Sequence, residues 1–404
     1  MKQINPFRVK RRSVAVLVET SNAYSRGLLE GVLAYVKQRS NWSMFVNEQE
    51  RGADPPKWLA GWNGDGVIAR IETDNIARAV KKLGLPVVDL SAARHVPNIP
   101  WADTDDEAIA KLAVDHFVER GFTNLAFCGD PAFRWSDARC ARYAEIVVEK
   151  GLSFFDYQSI PRYDPKYSLD REKKKLATWL KQLPRPVAIM ACYDFKAQQL
   201  LDVCRELEIS VPEEIAVLGV DNDHFMCEFA SPTLSSIIPD TKRTGFEAAE
   251  LLDKMMSGET VPTQKLLTRP LGIETRKSSD VLANEDKDIA AALRYIRQHA
   301  NHNIRVSDVL RQVEMSRRVF ESRFQKAIGR SPHQEIQRVR TNRIKELLKE
   351  PELSILDVAK HAGFEHAEYM AAVFKRETGM SPTKFRADLA KNQFGTGEQR
   401  SAFG

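Results

Sequence analysis

From residue 13 to about 276, short runs of Val, Ile and Leu alternate with amphipathic stretches of helical length. From Glu285 onward the runs stop, and only helix-length segments remain, through Leu389. The apolar runs are Ser13–Glu19, Gly66–Ala69, Leu85–Leu90, Leu125–Cys128, Val187–Ala191 and Ile215–Val220. Ser25–Arg39, Asp106–Arg120, Ser136–Lys150, Phe195–Leu207 and Thr241–Ser257 carry helical spacing. Buried strands alternating with helices imply a parallel sheet covered on both faces. That much chain is large for one sheet, which predicts two α/β lobes with a cleft between them. The boundaries read as a basic arm over 1–12, an α/β body over 13–276, a polar linker over 277–285, a helical domain over 286–390 and a flexible tail over 391–404. Two or three domains suit 404 residues.

Several function classes drop out early. No apolar run approaches the ~18–20 residues of a membrane-spanning helix. The first apolar stretch, Val14–Val18, ends at Glu19, short of the roughly 7–15 residues of a secretory h-region. The five cysteines (Cys128, Cys140, Cys192, Cys204 and Cys227) form no C-x-x-C and read as scattered reduced thiols. A cytoplasmic protein without a membrane partner is expected. No zinc-type spacing, phosphate-binding loop, G-x-S-x-G or H-E-x-x-H is found, so no metal, cofactor or catalytic residue is expected. Asp103, Asp105 and Asp106 suggest a capped helix start more simply than a metal site. The alternative reading is a cytoplasmic sugar-modifying enzyme with an accessory helical domain.

Charge divides at the same boundaries. Residues 1–12 carry five Lys/Arg and no acid; residues 286–404 carry 22 Lys/Arg and 15 Asp/Glu, a net +7; the remainder is net −7. A basic helical end fits nucleic acid or merely a soluble bundle. An internal repeat decides between them. Asp308–Val309 recurs as Asp357–Val358 at an offset of 49, and Phe324, Gly329, Ser331 and Pro332 recur as Phe374, Gly379, Ser381 and Pro382 at an offset of 50. Each copy reads as helix, tight turn, helix, with Ser316 as an N-cap and Gly329 as a C-cap in the first. Gly363 supplies a left-handed turn residue in the second. Glu314 stands at the matching turn of the first copy; a left-handed backbone there would cost it about 1–2 kcal/mol relative to Gly. A basic helix, His333–Leu348, joins the copies and can bridge the roughly 34 Å between neighbouring turns on one DNA face.

Gly363, Phe364, Tyr369, Phe374, Lys375, Gly379, Ser381, Pro382, Phe385 and Arg386 resemble the ending of AraC/XylS-type DNA-binding domains. The resemblance implies two recognition helices. Arg317, Arg318, Glu321 and Ser322 would face DNA from the first, and His366, Ala367, Glu368 and Ala371 from the second. Arg reads guanine bidentately and Glu accepts from cytosine N4. Arg338, Arg340 and Arg343, on the joining helix, are expected at phosphates.

The α/β body resembles the sugar-binding domain of LacI/GalR-type regulators, in Gly64–Ile68, in the helix opening at Asp103–Asp106 and above all in Ile215–Asp221 (IAVLGVD). The implied fold is a two-lobed, type I periplasmic-binding-protein-like α/β sensor followed by an all-α domain with two helix-turn-helix motifs. This order resembles the regulators of xylose operons. It implies a transcriptional activator of D-xylose catabolism: a homodimer binding tandem half-sites on double-stranded DNA, taking a small sugar, and touching RNA polymerase. A sugar pocket needs planar polar side chains at strand ends and an aromatic platform. Asn22 and Tyr24 follow the first strand, Asp105 precedes a helix, Asp194 ends the Val187–Tyr193 run and Asp221 ends IAVLGV. Arg142 stands at the family's ligand-arginine position. Asp105 and Asp194 fit helix N-caps equally well, and Trp135 fits a stacking platform or a core edge. Tyr193 stands where related proteins often carry a polar residue.

Overall fold

The computed structural model describes residues 11–39, 42–91, 93–161, 164–261, 265–281, 286–299, 302–348, 350 and 352–394. The chain divides into two units, Met1–Ala283 and Asn284–Gly404.

Twelve strands build the first unit: β1 Arg12–Leu17, β2 Trp42–Val46, β3 Gly66–Ala69, β4 Val87–Asp89, β5 Trp101–Thr104, β6 Asn124–Cys128, β7 Ser153–Tyr157, β8 Val187–Ala191, β9 Ile215–Val220, β10 Ser235–Ile238, β11 Lys265–Thr268 and β12 Gly272–Glu274. Eight helices accompany them: α1 Ala23–Arg39, α2 Asp74–Leu83, α3 Asp106–Val118, α4 Arg134–Glu149, α5 Leu169–Gln182, α6 Asp194–Glu206, α7 His224–Phe229 and α8 Thr241–Met256. The strands form two six-stranded sheets, β11-β5-β4-β3-β1-β2 in lobe 1 and β12-β10-β9-β8-β6-β7 in lobe 2. Pairing is parallel except between β10 and β12, an edge the apolar pattern did not disclose. Each sheet is covered on both faces. Lobe 1 packs against α1 and α8 on one face and α2 on the other; lobe 2 packs against α3 and α4, and against α5 and α6. The chain passes between lobes after β5, after β10 and after β11.

Helices α1 and α8 touch backbone to backbone. A Cβ on Gly31 would lie 2.0 Å from the Lys242 carbonyl oxygen, and one on Gly245 would lie 2.0 Å from that of Leu28. No other residue type permits this approach without moving one helix.

Three expected boundaries shift. Arg12 belongs to β1 and donates to Asp253 Oδ1 at 2.9 Å, while residues 1–10 lie outside the described residues. The start of the expected linker is part of lobe 2. Ser278 Oγ donates to the Val217 carbonyl at 2.7 Å, Ser279 Oγ meets His116 Nε2 at 2.9 Å, and Val281 is in the core. Polar residues that bond the inner strand β9 look like linker in sequence; residues 282–285 lie outside the description. At the other end the last helix continues to Phe394, past the expected start of the tail.

Among the described residues the second unit contains helices and no strand: α9 Lys287–His299, α10 Val306–Leu310, α11 Arg317–Ile328, α12 Pro332–Leu347, α13 Ile355–His361, α14 Ala367–Thr378 and α15 Pro382–Phe394. Helices α11 and α14 are each 12 residues long and start 50 residues apart. Both end on a left-handed glycine, Gly329 at φ 75° and Gly379 at φ 79°. Helix α12 contacts α9 and α11 in the first half and α13 and α14 in the second. Among the described residues no helix is long and apolar enough to cross a membrane.

Candidate functional site

In the first unit, Tyr24, Arg51, Arg70, Asp103, Asp106, Trp135, Arg139 and Asp221 line a small cavity. Most of these residues sit at carboxyl ends of parallel strands or on the helices that follow, where open α/β sheets gather ligand groups. Tyr24 opens α1, Arg70 follows β3, Asp103 lies in β5, Asp106 opens α3, Trp135 and Arg139 lie on α4, and Asp221 follows β9.

Arg70 is the hub of the lobe 1 wall. It donates to Glu19 Oε1 and Glu72 Oε1, both at 2.5 Å, and to Ser25 Oγ at 3.2 Å. Burial works against a charge on Glu19, yet Arg70 and then Arg51 bring its carboxyl down to about 2. The Tyr24 hydroxyl donates to Asp103 Oδ1 at 2.5 Å. Burial, and then Asp106, pushes the Asp103 carboxyl up. Across the cleft, Arg139 donates to Asp106 Oδ1 at 2.7 Å and to the Cys192 carbonyl at 2.6 Å. Its guanidinium lies 5.1 Å from the Trp135 ring centroid.

Asp221 has φ 109° and Asn222 φ 47°. Such a backbone costs of order 1–3 kcal/mol at each residue and persists only where neighbours enforce it. Here they do. Asn222 N donates to Ser236 Oγ at 3.0 Å, and Asp223 N to Asp194 Oδ2 at 2.7 Å. Burial lifts the Asp221 carboxyl to about 6 even though Arg51, Arg139 and Arg70 pull it down.

Of the six ligand candidates, Tyr24 and Asp221 line the cavity, as does Trp135. Four lie elsewhere. Asn22 is buried behind the wall, where its Oδ1 accepts from Ser25 N at 2.9 Å. Asp105 caps α3, accepting from Glu107 N and Ala108 N at 3.1 Å. Asp194 is buried beneath the Asp221 turn and also accepts from Ser236 Oγ at 2.6 Å. Arg142 is 42 % exposed and pairs with Glu107 at 2.8 Å and with Glu145. The buried stripe of α4 is Trp135, Ser136, Arg139, Tyr143 and Val147; Arg139, one turn earlier, is the arginine this stripe carries to the cavity. The cavity also holds Arg51, Arg70, Asp103, Asp106 and Arg139, none of them among the six. The position of Arg70, directly after Gly66–Ala69, was a usable signal. Arg51 offered none, because the segment between β2 and β3 has no periodicity.

In the helical unit Arg317, Arg318, Ser322, His366 and Glu368 are exposed, while Glu321 and Ala371 are half-buried. Arg317 Nε donates to Glu321 Oε1 at 2.8 Å, so these two act as a pair. Ala367 packs against the core instead of facing out. Arg343 is exposed. Arg340 is not available to phosphate: it is 5 % exposed, donates to the His302 carbonyl at 2.9 Å, and lies 5.6 Å from the Phe364 ring centroid. It ties the segment before α10 to the corner of the second motif. Arg338 is held by the buried Glu335, at 2.8–2.9 Å. The two corners also differ. Gly363 turns at φ 79°, whereas Glu314 is not among the residues of positive φ, so the first corner is a looser turn over Arg311–Met315 without a left-handed residue.

Comparison with known proteins matches three family descriptions. Residues 13–107 match the XylR N-terminal domain, 114–279 a periplasmic binding protein-like domain, and 309–388 a helix-turn-helix domain. The xylose operon regulatory protein of Escherichia coli K12 is 30 % identical over 93 % of this chain and 97 % of its own length. That of Haemophilus influenzae is 29 % identical over 92 % and 97 %. The solved structure of the xylose-binding transcription activator xylR aligns with a TM-score of 0.80 at 30 % identity, covering 94 % of this chain and 98 % of that one. A CelR–cellobiose complex aligns over 67 % of the chain at 23 % identity and a TM-score of 0.54, a likeness of fold.

Proposed function

Because the chain belongs to the family of the xylose operon regulatory proteins, we propose that it is a D-xylose-responsive activator of transcription. The first unit takes the pentose between its lobes. Asp221 accepts from sugar hydroxyls, Arg70 and Arg139 donate to them, and Tyr24–Asp103 completes the polar ring. Trp135 supplies an apolar face, and its buried Nε1 has no protein acceptor. Two copies of the helical unit in a homodimer bind tandem half-sites. Arg317, Arg318, Glu321 and Glu368 read base edges, Arg343 holds phosphate, and RNA polymerase is recruited to the bound site.

One observation carries the reading. The cavity interleaves guanidinium donors with carboxylate acceptors around a tryptophan. A polyol satisfies both sets at once; a singly charged ligand satisfies only one, and an apolar ligand neither. Closure on the sugar shifts DNA affinity only to the extent that the sugar prefers one of the two states.

A pentose panel read by melting temperature tests the effector, since a ligand of the native state raises it. D-xylose should raise it most. Arg139→Ala should remove the rise and Arg142→Ala should keep it; the reverse result would restore Arg142 to the site. Selection from random duplex DNA with and without D-xylose tests the output. Failure to enrich any sequence would exclude the regulator.

A further inference from the structure

Resting on the sugar-sensor reading above, we propose that Arg51 is the residue that converts an occupied pocket into closure of the two lobes. Arg51 belongs to lobe 1, in the irregular segment between β2 and β3. That segment is pinned beside the end of β1. Thr20 N donates to the Gln49 carbonyl at 3.1 Å, and Arg51 Nε lies 3.5 Å from Glu19 Oε1. Its guanidinium nevertheless sits among three rings of lobe 2: Tyr193 at 5.1 Å, Phe133 at 5.3 Å and Trp135 at 5.6 Å from the centroids. The rings form one packed cluster. Phe133 and Trp135 stack at 5.3 Å, and Trp135 meets Tyr193 edge-on at 5.9 Å.

The other cavity residues are engaged differently. Tyr24 and Arg70 bond within lobe 1, and Arg139 bonds Asp106 and the Cys192 carbonyl. Other contacts between the lobes lie off the cavity: Ala23 N to Asp223 Oδ2 at 3.1 Å, and Arg134 to the Ala93 carbonyl at 3.3 Å. Arg51 combines the two properties, lining the cavity and crossing the cleft.

The physical coupling follows from solvation. A cation held against aromatic faces gains little while water can reach it and several-fold more once water is excluded. In an open cleft the guanidinium is hydrated. A polyol in the cavity accepts N–H bonds from the guanidinium edge and displaces that water, while the guanidinium face rests on the rings. The sugar therefore strengthens the contact that holds the lobes together, and it binds the closed state more tightly than the open one. Arginine suits both tasks because its donors lie in the plane of the group and its faces stay free; a lysine ammonium has no such face.

The test uses the full chain labelled with 5-fluorotryptophan, with the Trp135 line assigned through Trp135→Phe. Wild type, Arg51→Ala and Arg51→Lys are titrated with D-xylose, L-arabinose and D-ribose while fluorine spectra are recorded. Arg51→Ala should displace the Trp135 line before any sugar is added and weaken D-xylose by about tenfold or more. Arg51→Lys, which preserves the charge for folding, should still bind at least about threefold more weakly than wild type. Wild-type affinity and an unmoved Trp135 line in both variants would overturn the role of Arg51 and leave the sugar-sensor reading standing. A wild-type line that answers to none of the three pentoses, with the ligand-free line still displaced in Arg51→Ala, would keep the cross-cleft contact and remove the pentose reading.

Discussion

Arg70 in the sensor unit and Arg317 in the helical unit make the same kind of bond, an N–H donated to a glutamate oxygen. The Arg70 side chain is 6 % exposed and its partners Glu19 and Glu72 are 5 % exposed; the Arg317 side chain is 68 % exposed and its partner Glu321 is 43 % exposed. In the first case one guanidinium holds two buried carboxylates, so position and partner are fixed together. In the second, water solvates either partner alone, and the pair contributes little to stability. The difference matches two tasks. A pocket that recognises hydroxyl geometry needs rigid donors, whereas a surface that meets DNA needs charges that can exchange one partner for another.

The largest expected effect tests the contrast at its root. Arg70→Met leaves Glu72 buried without its cation and Glu19 with Arg51 alone, and should destabilise the sensor unit by about 3–5 kcal/mol. Arg317→Ala should stay within about 0.5 kcal/mol, both measured by denaturant unfolding of the full chain. Equal losses at the two sites would abolish the distinction.

Glycines sharpen it next. Gly31→Ala forces a methyl group into the Lys242 carbonyl and should cost about 1–3 kcal/mol or more. At Gly379 a Cβ meets nothing within 4 Å, so Gly379→Ala should cost only the left-handed backbone, about 1 kcal/mol. A Gly31→Ala loss no greater than that at Gly379 would mean that α1 and α8 separate easily.

The buried His116 makes the contrast depend on pH. Burial, and then Arg120, holds its imidazole down to about 3, against an ordinary value of about 6.5. The unfolded chain therefore binds a proton that the folded chain refuses. The resulting stability is complete above about pH 6.5 and is lost as pH falls toward 3, by up to about 2 kcal/mol at pH 5. His116→Gln should flatten that part of the stability profile; an unchanged slope between pH 6.5 and 5 would remove His116 as its cause.

The smallest effects belong to the exposed face. Arg318→Ala should relax base preference at one position of the bound sequence. Arg343→Ala should weaken all sequences alike and lower the salt slope by about one. Interchanged outcomes would swap the two assignments.

Legibility in the sequence follows the same physics. Strands buried on both faces, such as Val187–Ala191 and Ile215–Val220, appear as unbroken apolar runs. The strand Trp101–Thr104 was invisible because Asp103 interrupts it, and Asp103 is there because it faces the cavity. Arg139 and Arg142 stand one helical turn apart near one stripe, and only packing against Trp135 and Asp106 separates them. Arg51 depends on a fold that brings an irregular segment to rings some 80 to 140 residues away, and no local pattern encodes that. The repeat in the helical unit was legible because its helices are held by local apolar spacing and glycine caps, down to the matching 12-residue lengths of α11 and α14. The burial of Arg340 was not, since a basic residue on a basic helix looks solvent-facing until Phe364 is seen to cover it.

The backbone contact between α1 and α8 has a kinematic consequence. Tyr24, in the first turn of α1, holds Asp103 next to the first passage between lobes. Helix α8 begins just beyond the second passage, and Thr244 on α8 meets Thr268 at the third, at 2.5 Å. Side chains between two helices act as a compliant layer; here Gly31 and Gly245 remove that layer. The three passages are therefore anchored to one block built from α1 and α8. A shift of that block therefore bears on all three passages together.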